Sequence, residues 1–430
     1  MRVAFVLVSA PGHAYPMSTV ARRLKARGRD VVLISVPDAE PLVRAAELPF
    51  VPYCEKEYPT GSVREIFNRL SKLQGQEAVE FTSRAVANTL QAAFRDLPQT
   101  LRETRADAVV LDAVQLALGL VPMHLGMPYV HVSNALHLDF SGNTPICVFD
   151  WQHDTTPEAL ARNKEAVRRH VQILEPKISV ARAYAKQMGL DIDCADPLAG
   201  ISQLGWLTQT PKEFDFKSSH SPPQFRYTGP FHDGLGRSDS NFPWDRLTGE
   251  PLIYASMGTL QNGLASVFNS IVEAVGARPD MQLVLSIGSV LDPKQIESLP
   301  ANAIVVNRAP QIELLKRSAL CITHAGLNTV LESLTQGVPL VAIPVTNDQP
   351  GVAARIAYTK TGAFVPLPDL TAPRLSSLID EVLSNPEYRQ NANRMKQAIA
   401  ETNGLEKAVD LLESAFALAA RAKHEPLADS

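Results

Sequence analysis

Residues 2–9 form a continuous apolar run that ends at Pro11-Gly12-His13. Apolar positions at helical spacing follow over about residues 16–27, Gly28 stands where a helix stops, and residues 31–36 are apolar again. A strand buried on both faces reads as an unbroken apolar run, so this order predicts a βαβ unit. The pattern recurs with a strand at 108–111, a helix at 114–125, Gly126 and a strand at 129–132. The first half is therefore expected to be a parallel sheet wrapped by helices. Between about 135 and 204 the alternation lapses. Polar helical stretches such as 157–187 read there as an insertion beside the strand ends, where pockets are commonly shaped.

A Pro-, Gly- and Ser-rich stretch, with Ser221-Pro222-Pro223 and Gly234-Leu235-Gly236, has the composition of a connection between domains. Beyond it the pattern restarts, with strands expected at 252–255, 282–286, 303–306, 319–323 and 339–343. The expected organisation is an N-terminal domain over 1–216, a linker over 217–250, a C-terminal domain over 251–404 and a tail helix over 405–430 that returns to the first domain. Both domains are expected to be doubly wound α/β units. Ligands of such sheets sit outside the carboxyl ends of the strands, so two facing domains would enclose a cleft between strand-to-helix loops.

A chain of 430 residues with 45% hydrophobic and 20% charged residues has an ordinary globular composition. A net charge of -4 supplies no cationic field for a polyphosphate backbone, which argues against nucleic acid as a partner. The four cysteines, Cys54, Cys147, Cys194 and Cys321, show no pairing and no zinc spacing, as expected in a reducing cytoplasm. The first apolar run is too short for a signal peptide, and the apolar stretch 109–132 contains Asp112, Gln115, His124 and two prolines. No transmembrane anchor is expected. A peripheral membrane contact stays open, as does the choice between monomer and homodimer.

The densest polar cluster follows one strand, in the order Thr323-His324-Ala325-Gly326-Leu327-Asn328-Thr329-Val330-Leu331-Glu332. A strand ends there and a small-residue turn opens a helix whose free N–H groups and dipole make an anion site. A diphosphate suits that end, with His324 and Asn328 donating to it. Glu332, one turn beyond Asn328, suits a vicinal diol such as ribose. Taken singly, Asn328 and Glu332 read sooner as solvated helix positions and His324 as a satisfied strand-end histidine. The flanks add Arg308-Ala309-Pro310-Gln311 upstream and Gly337-Val338-Pro339, Pro344 and Asn347-Asp348-Gln349 downstream.

With these flanks the sequence resembles the GT-B nucleotide-sugar glycosyltransferases of family 1. The stretch 349–355 is similar to the bacterial zeaxanthin glucosyltransferases within that group. The resemblance implies that Gln311 and its neighbours, Arg308 among them, hold the nucleobase. It assigns the diphosphate to His324, Gly326, Asn328 and Thr329, the ribose to Glu332 and the sugar hydroxyls to Asp348 and Gln349. Asp348 is also placed to cap the next helix. Many plant members carry Trp where this chain has Arg308; a guanidinium can also stack on a base, which leaves uracil and thymine both open. Ser256-Met257-Gly258-Thr259 resembles the family's phosphate turn, with Thr259 at the distal phosphate and Ser256 beside it.

The base is expected from the other domain. His13 lies just after the first strand, and an imidazole with an ordinary pKa of about 6.5 can accept a hydroxyl proton near neutral pH. Asp112, at the end of the 108–111 strand, can orient it and stabilise the imidazolium. Both positions match the family's His-Asp dyad. Asp191-Ile192-Asp193 resembles the D-x-D metal motif of another glycosyltransferase architecture, but it follows a helix rather than a strand and reads as solvated.

The expected activity is an inverting, metal-independent O-glycosyl transfer. It needs no cofactor and uses a UDP-sugar, UDP-glucose foremost, or a dTDP-sugar as co-substrate. The acceptor is expected to be a hydroxylated lipophilic small molecule such as a carotenoid, flavonoid, terpenoid or polyketide. Phe67, Phe81, Phe94, Phe140, Phe149 and Trp151 are equally candidates for its pocket and for the core. A nucleotide-sugar 2-epimerase and a non-catalytic nucleotide-sugar sensor are the alternatives from other classes.

Overall fold

The computed structural model describes residues 1–217, 221–235, 241–258, 263–288, 291, 293–296 and 299–422. The first sheet contains β1 (Arg2–Val6), β2 (Asp30–Ser35), β3 (Phe50–Pro52), β4 (Ala108–Asp112), β5 (Tyr129–Ser133), β6 (Trp206–Thr208) and β7 (Phe225–Tyr227). All pair in parallel, in the order β3-β2-β1-β4-β5-β6-β7. The second sheet contains β8 (Leu252–Ser256), β9 (Gln282–Ser286), β10 (Ala303–Val306), β11 (Ser318–Thr323), β12 (Leu340–Ala342) and β13 (Gly362–Phe364). It is also parallel, in the order β10-β9-β8-β11-β12-β13.

Each sheet is buried on both faces, which is why its strands lack polar alternation. Val3 and Phe5 of β1 pack into one apolar cluster and Ala4 and Val6 into the opposite one. In β8, Ile253 and Ala255 face one cluster while Leu252 and Tyr254 face the other. The core of the second half also receives Leu136, Cys147 and Phe214 from the first half, so apolar packing crosses between the sheets.

Several elements differ from the expectation. The first helix runs Pro11–Ala26 rather than from residue 16, and Pro16 lies inside it. Pro11 supplies a preset φ at the first helical position, where its missing N–H costs nothing. The helix expected over 114–125 is split into a 3-10 segment Ala113–Gly119 and an α segment Leu120–Leu125, with Gln115 outside helical geometry. The insertion forms two helices, Pro157–Ile173 and Glu175–Met188. A 29-residue helix, Gly75–Glu103, packs against the second of them. The stretch expected to be linker over 217–250 carries β7, which completes the first sheet. A three-residue edge strand between Pro222-Pro223 and Gly229-Pro230 is too short to show a period.

The last described helix, Gly404–Ala422, lies against the Pro11–Ala26 helix. Ala408, Val409, Leu412 and Phe416 join the cluster that contains Val20, Ala21 and Leu24. Arg27 pairs with Asp410 at 2.5 Å and Arg29 with Glu413 at 2.7 Å along the contact.

Candidate active site

In each sheet the strand order reverses at one point, between β1 and β4 and between β8 and β11. Helices on opposite faces leave a crevice at such a switch point, where side chains after the strands can meet a ligand. His13 follows β1, Asp112 ends β4, Ser256 ends β8 and His324 follows β11. All four sequence-derived positions therefore stand at the two switch points.

His13 Nδ1 lies 2.8 Å from Asp112 Oδ2. The carboxylate is fully engaged: Asn134 Nδ2 donates to Oδ2 at 2.9 Å and Val114 N–H to Oδ1 at 3.0 Å. Asp112 thus caps the segment after β4 and orients the histidine at once. Burial alone would lower the His13 pKa, but the Asp112 carboxylate, with Asp348 beyond it, outweighs this and holds the imidazole above 6.5. Burial pushes the Asp112 carboxyl up, and His13, the Val114 N–H and the Asn134 amide together hold it below its ordinary value. With Nδ1 turned to Asp112, Nε2 is the ring atom left to accept a proton.

On the other domain, Ala325 has a φ of 65° and turns the chain from β11 into the Leu327–Thr335 helix. The first intrahelical bond runs from Val330 N–H to Gly326 C=O at 3.1 Å. The N–H groups ahead of it point from the helix end, as an anion requires. The His324 ring fits between Gly258 and Gly326, where an added Cβ at either position would lie 2.5 Å from Cε1. Burial lowers its pKa to about 4, so it is neutral and can donate from one nitrogen. Its Nδ1 has no hydrogen-bond partner among the described residues. Ser256 Oγ accepts the Gly258 N–H at 3.3 Å. Thr259 lies outside the described residues.

Gln311 and Glu332 meet directly. Gln311 Nε2 donates to Glu332 Oε2 at 2.6 Å and lies 3.4 Å from Thr329 Oγ1, while its Oε1 accepts from Tyr254 Oη at 3.0 Å. Arg308 is exposed beyond β10. Asp348 occupies the N-cap of the Gln349–Tyr358 helix without capping it. Its Oδ2 instead accepts the Leu136 N–H of the first domain at 2.9 Å, and burial raises its pKa. The Gln349 side chain is buried, and its Oε1 accepts the N–H groups of Val345 and Thr346 at 2.9 and 3.1 Å.

Two contributors escaped the sequence reading. Asn134, after β5, holds the dyad carboxylate, and Gln209, after β6, donates to Asn134 C=O at 2.6 Å and to Asn328 Oδ1 at 2.7 Å. Asn328 Nδ2 in turn donates to Gly12 C=O at 2.7 Å. That carbonyl is free because its helical donor would be the N–H of residue 16, which is proline. A ring of amides thus joins the helix carrying His13 to the helix end of the second domain.

Of the aromatic candidates, Phe140 lines a cavity beside the Ala113–Gly119 segment. Phe94 stacks on Tyr184 at 4.1 Å, Phe149 on Trp151 at 4.1 Å, Phe81 lies under Arg69, and Phe67 packs against the core. Asp191 and Asp193 are exposed, and Asp193 accepts the Ala195 N–H. Among the described residues no three His, Cys, Asp or Glu side chains converge as a metal site, and no helix is long and apolar enough to cross a membrane.

Two doubly wound parallel domains with facing switch-point loops are the GT-B architecture. Residues 244–411 match the family model for UDP-glucoronosyl and UDP-glucosyl transferase. The zeaxanthin glucosyltransferase of Pantoea ananas is 28% identical over 418 residues, which covers 95% of each chain. Among solved structures, the glycotransferase of kitacinnamycin aligns with a TM-score of 0.75 at 22% identity, over 96% of this chain and 99% of the other. Glycosyltransferase VinC, solved in complex with DTDP, aligns at 0.70 and 20% identity, over 96% and 99%. The family model, the relative aligned over nearly its whole length and the solved structures together support a GT-B glycosyltransferase of family 1, a hexosyltransferase.

Proposed function

We propose that this enzyme transfers glucose from UDP-glucose to a hydroxyl of a lipophilic small molecule, with inversion and without a metal. The His13–Asp112 dyad, held 2.8 Å apart across from Asp348, carries this reading. His13 Nε2 takes the acceptor hydroxyl proton, and Asp112 stabilises the imidazolium. The oxygen forms its bond to the anomeric carbon as the bond to the nucleotide oxygen breaks. An α-linked donor then yields a β-glycoside. The departing diphosphate gathers charge where the Leu327–Thr335 helix end and neutral His324 can donate to it. Gln311 and Glu332 suit the nucleoside, and the Asp348 carboxylate, released from Leu136, suits the sugar hydroxyls.

The Pantoea relative is named for zeaxanthin, which supports a lipophilic hydroxylated acceptor. A dTDP-sugar is the second reading, favoured by the DTDP-bound neighbour, and Arg308, exposed where a base would stack, leaves uracil and thymine both open. The deciding experiment incubates UDP- and dTDP-hexoses with a panel of hydroxylated aglycones, with and without EDTA, and reads products by mass spectrometry and NMR. A β-linked product formed from UDP-glucose in EDTA, and lost in His13→Ala, is expected. An α-linked product, or full turnover by folded His13→Ala, would sink the mechanism.

A further inference from the structure

A cavity in the first domain holds roughly 640 Å³ of space between atoms, part of it open to solvent. Leu90, Leu120, Leu138, Phe140, Ile178 and Ile192 give it apolar walls. Ala113 and Val114 also line it, and Val114 N–H donates to the dyad carboxylate Asp112 at 3.0 Å, so one wall of the cavity is hydrogen-bonded to the dyad.

One cation, Lys177, stands in this lining. It lies in the first turn of the Glu175–Met188 helix and is partly buried. Burial pulls its pKa down to about 8, and no carboxylate of the described chain acts to raise it. Its neighbour His170 is held neutral, with a pKa of about 4, first by burial and then by Lys177 itself. Of the other titratable lining groups, Cys194 is a thiol whose pKa burial raises. Asp196 stands exposed at the rim with its carboxylate accepting the Leu198 N–H at 2.9 Å. An ammonium in an apolar wall is costly unless an anion meets it, and no carboxylate among the described residues pairs with Lys177.

We propose that this cavity holds the apolar body of the acceptor and that Lys177 pairs with a carboxylate on it. The substrate class is then a hydroxylated, lipophilic carboxylic acid, a narrower class than neutral lipophilic alcohols. The inference rests on the transferase reading for the role of the bound molecule, whereas the binding stands independently of it.

The test is calorimetric titration of the full chain at about pH 7 with ω-hydroxypalmitic acid and with its methyl ester. The acid is expected to bind at least about tenfold more tightly. Lys177→Met removes that preference and Lys177→Arg retains it. Equal binding of acid and ester by the wild type, or a preference that survives Lys177→Met, would overturn the proposal; the wild-type comparison needs no variant to fold. A parallel assay follows UDP-glucose consumption with neutral aglycones. Equal binding alongside glycosylation of neutral aglycones refutes this inference and leaves the transferase reading standing. Acid preference with no nucleotide sugar consumed for any aglycone does the reverse.

Discussion

His13 and His324 stand at the switch points of the two sheets, and their surroundings push their ionisation in opposite directions. Asp112 raises the pKa of His13, whereas burial between two glycines lowers that of His324 to about 4. A base must be neutral to act, so the rate is expected to rise with pH through the elevated His13 value. Asp112→Asn removes the charge that elevates it, so the acid limb of the profile should move to lower pH. The rate at the optimum should fall roughly 10²–10⁴-fold. A raised histidine pKa stabilises the fold fully below the unfolded value of about 6.5, and that part is lost as pH rises through the folded value. Urea unfolding should accordingly show the stability gap between wild type and Asp112→Asn shrinking above about pH 6.5. His324 has the opposite sign, contributing above about 6.5 and losing its contribution as pH falls toward 4. Gly326 has a φ of -63°, which alanine accepts, but its Cβ would meet the His324 ring. Gly326→Ala should therefore weaken UDP binding about tenfold or more with little change in melting temperature, measured by calorimetry and thermal unfolding.

The elements show what was legible beforehand and what was not. Strands β1, β4, β8 and β11 were readable because burial on both faces leaves long apolar runs, and their ends mark where His13, Asp112, Ser256 and His324 stand. Strands β3, β6, β7, β12 and β13 have three residues each, and of these only β12 was legible, because the apolar run 339–343 extends beyond it. Asn134 and Gln209 were hidden for a related reason. They follow neighbouring strands but are about 75 residues apart in the chain, and only the pairing of β5 with β6 brings them together. The helical spacing places a helix start at about residue 16, whereas Pro11 takes the first helical position and Pro16 withholds one N–H inside. The vacated bond is what allows Asn328 to reach Gly12 C=O. Pro16→Ala would return a competing donor to that carbonyl. The expected result is a more stable helix together with a several-fold higher KM for the nucleotide sugar, since Asn328 loses its seat; an unchanged KM would refute this coupling.

Across the whole molecule, groups suited to the donor also hold the two domains together. Asn328 reaches Gly12 and Gln209, Asp348 reaches Leu136, and Gly351 N–H donates to Cys147 C=O at 2.8 Å. The chain crosses between domains at two places that touch, for a Cβ on Gly404 would lie 2.5 Å from the Gly229 carbonyl carbon. The strongest polar tie is buried: Arg355 Nε donates to Asp215 Oδ1 at 2.7 Å, and its guanidinium lies 4.2 Å from the Phe216 ring centre. Tyr227 Oη donates to the other Asp215 oxygen at 2.7 Å, with His137 Nε2 at 3.6 Å. Burial would raise the Asp215 pKa, yet Arg355 and His137 hold it near 2. Removing one partner of such a pair strands a buried charge, at a cost of about 3–5 kcal/mol. Arg355→Met should therefore lower the melting temperature and separate the domains, enlarging the radius of gyration measured by small-angle X-ray scattering. Adding Asp215→Asn removes the stranded charge, so the double variant should recover part of the melting temperature. It should not recover the compact form, because the tie between domains is still missing. If the single variant scattered like the wild type, apolar packing of Leu136, Cys147 and Phe214 would have to be holding the domains together alone.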